Sequence, residues 1–284
     1  MIRMSTNPRL EIDLGKLRRN AAAIVNLAST RGVSITGVVK GCCGDPLVGR
    51  AMLDGGVSAL GDSRVANLSR LREALPASEL WLLRLPMPSE VGRVAALADV
   101  VLISETSSAR LLGQAARQLG RVVRAILMVD VGDLREGVWP DRAVGVAQAL
   151  AGMAGIDLVG LGTNLACFGG VIPDAENMAT LLGVVDAVEE RLGRKVRVVS
   201  GGNSANLNFF LEGSHPEGVN NLRIGEGILL GREAVTHRPV PGVYRDAFTL
   251  IAEVVEEAEK PTVPLGRIGR DAFGGVPSFV DRGM

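Results

Sequence analysis

The chain has 284 residues, 47% of them hydrophobic, which is enough for one large α/β domain or two smaller ones around a substantial core. Lys and Arg total 31 against 31 Asp and Glu, and aromatic residues make up 3%, so composition argues against a nucleic-acid surface, a basic membrane-binding face or a base-stacking platform. No apolar stretch is long enough to span a bilayer, and the first seven residues are short and polar rather than leader-like. Cys42, Cys43 and Cys167 fit neither a disulfide framework nor zinc spacing, and the two histidines, His215 and His237, are too few for a histidine metal site. We therefore expect a cytoplasmic protein without a metal centre.

In chain order, residues 9–13 read as a strand and 14–29 as a helix. Short apolar runs follow at 34–41, 59–63, 80–85, 100–104, 122–131, 156–165, 196–202 and 221–231. Amphipathic helical stretches separate them at 65–74, 90–97, 105–119, 142–153 and 174–192, with a short helix at 205–211. About eight β-then-α units match a parallel (β/α)8 barrel of the TIM type better than a doubly wound sheet, the runner-up. Pro239, Pro241, Pro261 and Pro264 then break helices, and 247–255 reads as a strand. The expected division is a barrel with its N-terminal strand over 1–235 and a short β-rich segment over 236–284, small for an independent domain and read as incomplete.

A barrel of this kind carries its chemistry at the C-terminal strand ends. Ser34-Ile35-Thr36-Gly37-Val38-Val39-Lys40 delivers one lysine to such an end, before the small-residue turn Gly41-Cys42-Cys43-Gly44. If buried, that lysine loses charge and its amine becomes a nucleophile, which suits a lysine carrying pyridoxal phosphate (PLP) as a Schiff base. The alternative is a lysine reaching solvent from a strand end.

Three later segments bear on the same cofactor. Val198-Val199-Ser200-Gly201-Gly202-Asn203-Ser204 is a strand and a small-residue turn in which Asn203 or Ser204 caps the next helix. It reads as an anion cradle or as an ordinary capped turn. Asn221-Leu222-Arg223-Ile224-Gly225-Glu226 brings a second close backbone approach at Gly225, with Arg223 facing a pyridine nitrogen or pairing with Glu226 or Asp62. Met128-Val129-Asp130-Val131-Gly132-Asp133-Leu134-Arg135-Glu136-Gly137 puts Arg135 just past a strand end, in a site or in a solvated loop.

Together with Leu60-Gly61-Asp62-Ser63-Arg64 and Gly162-Thr163-Asn164-Leu165, these ordered motifs resemble the fold-type III PLP enzymes, the alanine racemase-like family, and within it the ornithine and broad-specificity amino-acid racemases. The resemblance implies PLP as cofactor, with Lys40 as the Schiff-base lysine and Ser204 on the phosphate. It implies backbone phosphate contacts at Ile224 and Gly225, Arg223 on the ring nitrogen, and Arg135 near the phenolic oxygen and the substrate carboxylate. Asn203 and Asn164 join the cofactor-binding candidates. The chain departs from true alanine racemases at Met128 (a lysine there), Asn164 (a histidine) and Cys43 (a tyrosine). The family's second catalytic base, a tyrosine lent by the partner subunit, is absent from Ile268-Gly269-Arg270-Asp271-Ala272-Phe273-Gly274, where Asp271 is the substitute candidate.

The expected activity is racemisation of a small amino acid of the ornithine, lysine or alanine class, by a homodimer with no nucleic-acid or membrane partner. The alternatives are a non-catalytic PLP-binding or homeostasis protein of the same barrel fold and a barrel enzyme for a phosphorylated substrate. A basic substrate side chain would want a carboxylate, for which Asp45, Asp62, Asp133 and Glu226 are equal candidates.

Overall fold

The computed structural model describes residues 7–283. Asp13 opens the first helix by accepting the Lys16 N–H at 2.9 Å, and α1 (Leu14–Ser29) then buries Leu17, Ala21, Ile24 and Ala28 on one stripe. Eight strands follow, each short and rich in branched residues. They are β2 (Ser34–Val38), β3 (Ala59–Asp62), β4 (Leu80–Leu82), β5 (Val100–Ile103), β6 (Val123–Met128), β7 (Ile156–Gly162), β8 (Val198–Ser200) and β9 (Asn221–Ile224). All pair in parallel with their neighbours, and Ser34 against Asn221 closes the ring between β2 and β9. The expected (β/α)8 barrel is therefore present.

Helices cover the outside: α2 (Pro46–Asp54), α3 (Val65–Ala74), α4 (Val91–Leu97), α5 (Thr106–Gln118), α6 (Pro140–Ala151), α7 (Ala175–Leu192), α8 (Leu207–Leu211) and α9 (Glu226–Leu230). The core has two layers because strand side chains alternate. Leu60, Leu80, Leu82, Val101 and Ile103 pack in the large apolar cluster with the helices. Ala59, Trp81, Val100, Leu102, Ile126 and Met128 form a second, smaller cluster, the filling of the barrel interior. Among the described residues no helix is long and apolar enough to cross a membrane.

Three local expectations need correction. The run at 221–231 is not one strand: β9 stops at Ile224, Gly225 turns the chain, and Glu226–Leu230 is helical. The run at 34–41 ends as a strand at Val38, and Lys40–Cys42 is a 3-10 turn. Helix α2 was not anticipated, although Asp45 caps it through the Leu47 and Val48 N–H groups and Pro46 sits in its first turn.

Ile12–Phe248 form one compact unit, and the described residues 7–11 and 249–283 group as a second. β1 (Arg9–Ile12) and β10 (Phe248–Ile251) make a two-stranded sheet. After Ile251 the described residues adopt neither helix nor strand.

Gly160 marks where the barrel has least room. A Cβ there would lie 2.0 Å from the Val198 carbonyl oxygen, so alanine cannot enter without parting β7 from β8. We expect Gly160→Ala to destabilise the barrel by about 1–3 kcal/mol, the usual cost of overpacking, measured by urea unfolding. An unchanged midpoint would show that the two strands yield freely.

Candidate active site

The C-terminal strand ends surround a cavity of about 200 Å³. Its polar wall comes from five places: Lys40 after β2, Arg135 and Glu136 after β6, Asn164 after β7, Asn203 and Ser204 after β8, and Arg223 on β9 with Gly225 beyond it. Val38, Leu83 and Leu102 supply apolar surface below.

Arg223 is 4% exposed, and its guanidinium is held by neutral acceptors. Nη1 donates to Ser200 Oγ at 2.5 Å, and Nη2 donates to the Thr163 carbonyl at 2.7 Å and Asn164 Oδ1 at 3.3 Å. Ser200 Oγ donates to Asn221 Oδ1 at 2.6 Å, and Asn221 Nδ2 donates to Thr36 Oγ1 at 3.1 Å. One chain of hydrogen bonds thus ties β2, β7, β8 and β9 inside the barrel. Burial pulls the guanidinium down to about 10, with Glu136 raising it and Arg135 lowering it. Among the described residues, the Arg223 Nε–H has no acceptor. Asn164 Nδ2 is likewise buried without a partner.

Lys40 faces the cavity, yet it is exposed, so its chemistry does not follow from burial in a strand. The physical reason is the early end of β2, since the 3-10 turn lifts Lys40 out of the sheet. The turn is fixed by the Val39 N–H on the Gly61 carbonyl at 3.0 Å and by the Cys42 thiol on the Val39 carbonyl at 3.1 Å. Burial pushes Cys42 up to about 11. Asp62, fully buried beside this turn, accepts from the Arg64 N–H and Asn67 Nδ2, and burial pushes its carboxyl up.

The two aspartates of the Arg135 segment organise loops. Asp130 accepts the N–H groups of Gly132, Leu134 and Arg135. Asp133, fully buried, accepts those of Cys167, Phe168 and Val171 in the loop after β7. Between the two loops, Arg135 donates from Nη1 to Cys167 Sγ at 2.8 Å and pairs through Nε with Glu136 at 2.6 Å. Cys43, Leu134 and Ala166, three of the four non-glycine residues at positive φ among the described residues, lie in the loops that carry Lys40, Arg135 and Cys167.

Asn203 caps the turn after β8, accepting the Ala205 N–H at 2.8 Å and donating to the Leu165 carbonyl at 2.8 Å. Gly202, at φ +145°, has no room for a Cβ, because the Asn206 side chain that completes this cap fills the space. Ser204 Oγ accepts the Gly227 N–H at 3.1 Å, and its own proton is uncommitted among the described residues. Gly225 lies against Val38. Behind them, Glu233 is fully buried and shapes the loop that brings Ala234 to the wall. Burial pushes the Glu233 carboxyl up, but the Thr236 hydroxyl and the N–H groups of Val235, Arg238 and Thr236 outweigh it and hold it down to about 2.

Lys40, Arg135, Asn164, Asn203, Ser204, Arg223 and Gly225 therefore share one cavity. Ile224 is buried in the large apolar cluster, away from the lining. Asp271 lies in the other unit, where its Oδ1 accepts the N–H groups of Phe273 and Gly275. Of the four carboxylates considered for a basic substrate, Glu226 alone lines the cavity, already paired with Arg232 at 2.7 Å. Sequence reasoning missed Glu136, Cys167 and Ala234. Glu136 was inside a quoted motif but read as part of a solvated loop. Among the described residues no three His, Cys, Asp or Glu side chains gather as a metal site.

Glu233 makes stability depend on acid. Its folded-state value of about 2 lies below the ordinary 4.5, so its contribution is complete above about pH 5 and disappears as pH falls towards 2. We expect Glu233→Gln to cost on the order of 1–3 kcal/mol at pH 7 and much less at pH 3, read from urea unfolding at both. An equal loss at the two pH values would rule out the charge as the cause.

Comparison with known proteins follows the same geometry. The family model for the alanine racemase N-terminal domain matches residues 12–233. The lysine racemase of Thermotoga maritima is 41% identical over 277 residues, 98% of this chain and 77% of that protein. The ornithine racemase of Acetoanaerobium sticklandii is 37% identical over 279 residues, 98% of this chain and 78% of that protein. Among solved structures, an alanine racemase of Clostridium difficile 630 superposes with a TM-score of 0.73 at 20% identity, covering 93% of this chain and 69% of that one. A D-threonine aldolase from Filomicrobium marinum gives 0.71 at 19% identity, covering 86% and 68%. The structural likenesses establish the fold, and the family model and the two racemases establish descent: the chain belongs to the alanine racemase family, whose N-terminal domain makes up most of it.

Proposed function

We propose that this protein is a PLP-dependent amino-acid racemase acting on a substrate of the ornithine, lysine or alanine class. The observation that carries the reading is the meeting of Lys40, Arg135 and Arg223 in one cavity beside Ser204 and Gly225. Three cations against Glu136 and the already paired Glu226 suit a phosphate together with a carboxylate. The spare Arg223 Nε–H and Ser204 O–H and the unpartnered Asn164 Nδ2 are donors that a phosphorylated pyridine fits. Both curated relatives are racemases, which does not favour the non-catalytic reading.

The chemistry that PLP supplies when bound is electron withdrawal from Cα, which acidifies the Cα–H bond. Lys40 Nζ would hold the cofactor covalently at rest and, once the substrate amine has displaced it, would move the Cα proton on one face as a free amine. Ser204 and the backbone around Gly225 would hold the phosphate. Arg223, charged at neutral pH, would donate towards the ring nitrogen without surrendering its proton. Arg135 orients the substrate carboxylate. Racemisation needs a second proton carrier on the opposite face, and we assign it to Asp271 of a partner copy in a homodimer. The exposed apolar side chains of Leu134, Phe168 and Ile172, on the two loops joined by Asp133, support a covered rim.

The test of the cofactor is the absorption spectrum. Purified protein should absorb in the blue-violet, and borohydride should fix PLP on the peptide containing Lys40. Lys40→Ala should lose the band and lower racemisation on the order of 10²–10⁴-fold. A band retained in this variant would move the attachment elsewhere.

The second carrier is tested by deuterium entry at Cα from D2O, starting from each enantiomer of ornithine, lysine and alanine. Asp271→Asn should slow racemisation by about 10²-fold or more while one enantiomer still exchanges its proton through Lys40. Racemisation at the parent rate would remove Asp271 from the mechanism.

A further inference from the structure

Arg135 and Arg223 line the same cavity, and two guanidinium groups sharing a low-dielectric space repel. Among the described residues, Arg223 touches neutral acceptors: Ser200, the Thr163 carbonyl and Asn164. The carboxylate bonded to Arg135 in this cavity is Glu136, whose side chain is 15% exposed and meets Nε at 2.6 Å. Its backbone site is constrained, because a Cβ on the next residue, Gly137, would lie 2.4 Å from the Asp130 nitrogen. Arg135 is also anchored at both ends, by its N–H on Asp130 Oδ2 at 3.1 Å and by Nη1 on Cys167. Met128, below in the barrel, is fully buried in apolar surroundings and offers neither arginine a charge.

We propose that Glu136 is the positioning residue of this site: it pins the Arg135 guanidinium in a single orientation in the cavity that Arg223 also lines. With Nε on Glu136 and Nη1 on Cys167, Nη2 is the Arg135 nitrogen that remains for a substrate carboxylate. The Nε contact also keeps Arg135 from turning onto the acceptors that Arg223 uses. The role deepens the racemase reading and rests on it for its kinetic consequences, but the ion pair is a property of the protein itself.

The other titratable or charged side chains facing Arg223 across the cavity are Lys40 from the turn after β2, Arg135 from the loop after β6, Cys167 from the loop after β7 and Glu226 beyond β9. Removing the Glu136 charge leaves them in place and frees Arg135 Nε from its partner.

The experiment compares the PLP-loaded parent with Glu136→Gln and Glu136→Asp. The first arm maps arginine modification by phenylglyoxal. Arg135 should react at least about five-fold faster in Glu136→Gln, while Glu136→Asp stays near the parent and buried Arg223 stays unreactive in all three. The second arm measures racemisation of ornithine and lysine. Glu136→Gln should raise KM about ten-fold with a smaller change in kcat, with Glu136→Asp restoring most of the KM. Arg135 reactivity within two-fold of the parent in Glu136→Gln overturns the proposal, whatever the kinetics. So does a KM that stays at the parent value in Glu136→Gln, or one that has risen and is not restored by Glu136→Asp, since lost packing alone would give the latter result. If the parent lacks both the visible band and activity, the racemase reading fails, and the phenylglyoxal arm still decides the role of Glu136.

Discussion

The site depends on a buried positive charge. A guanidinium cannot leave water unless its N–H groups find acceptors, and Arg223 finds them just after β7 and on β8. Those acceptors are themselves fixed: Ser200 by Asn221, Asn221 by Thr36, and Asn164 by Asn203. Meeting the needs of one side chain therefore sets the relative heights of four strands. The same constraint explains why the interior of this barrel is divided, with polar groups beside β9 and the apolar filling of Trp81, Leu102 and Met128 elsewhere.

Placement of the remaining functional groups is a matter of loops, and aspartates control the two largest. Asp130 folds the loop after β6 on itself, and Asp133 binds the loop after β7 to it. Neither carboxylate is free for substrate. The strained residues Leu134 and Ala166 fall inside these loops, where the surrounding hydrogen bonds hold conformations costing about 1 kcal/mol each. Arg135 and Cys167 meet because both loops are fixed, not because either is attached to a strand.

The barrel was legible because short apolar runs and amphipathic helices alternate regularly, and the eight runs correspond to the eight strands. What failed was punctuation. The Ile228-Leu229-Leu230 run looks the same in a strand and in a buried helix, so the turn at Gly225 disappeared into the run at 221–231. The cap of α2 was hidden because Asp45 drew attention as a possible substrate contact. Seven candidate residues meet in one cavity because strand ends of a parallel barrel converge at one face, which is a topological consequence and readable from the pattern. Glu136 was not readable. Neighbouring opposite charges in a loop usually pair in solvent, and nothing in the linear order says that this pair lines a cavity wall. Lys40 was placed at the right end of the right strand but in the wrong environment, since the strand is three residues shorter than its apolar run.

The clamp at Asp133 has a consequence for the entropy of binding. Phe168 is 74% exposed, and a loop so open to water would ordinarily sample many conformations and surrender them when a ligand arrives. Here three of its N–H groups end on a carboxylate that water does not reach. The loop is exposed in its side chains and tethered in its backbone. Little freedom remains to be lost when the cavity fills, so ligand contacts made by this wall count almost in full towards affinity.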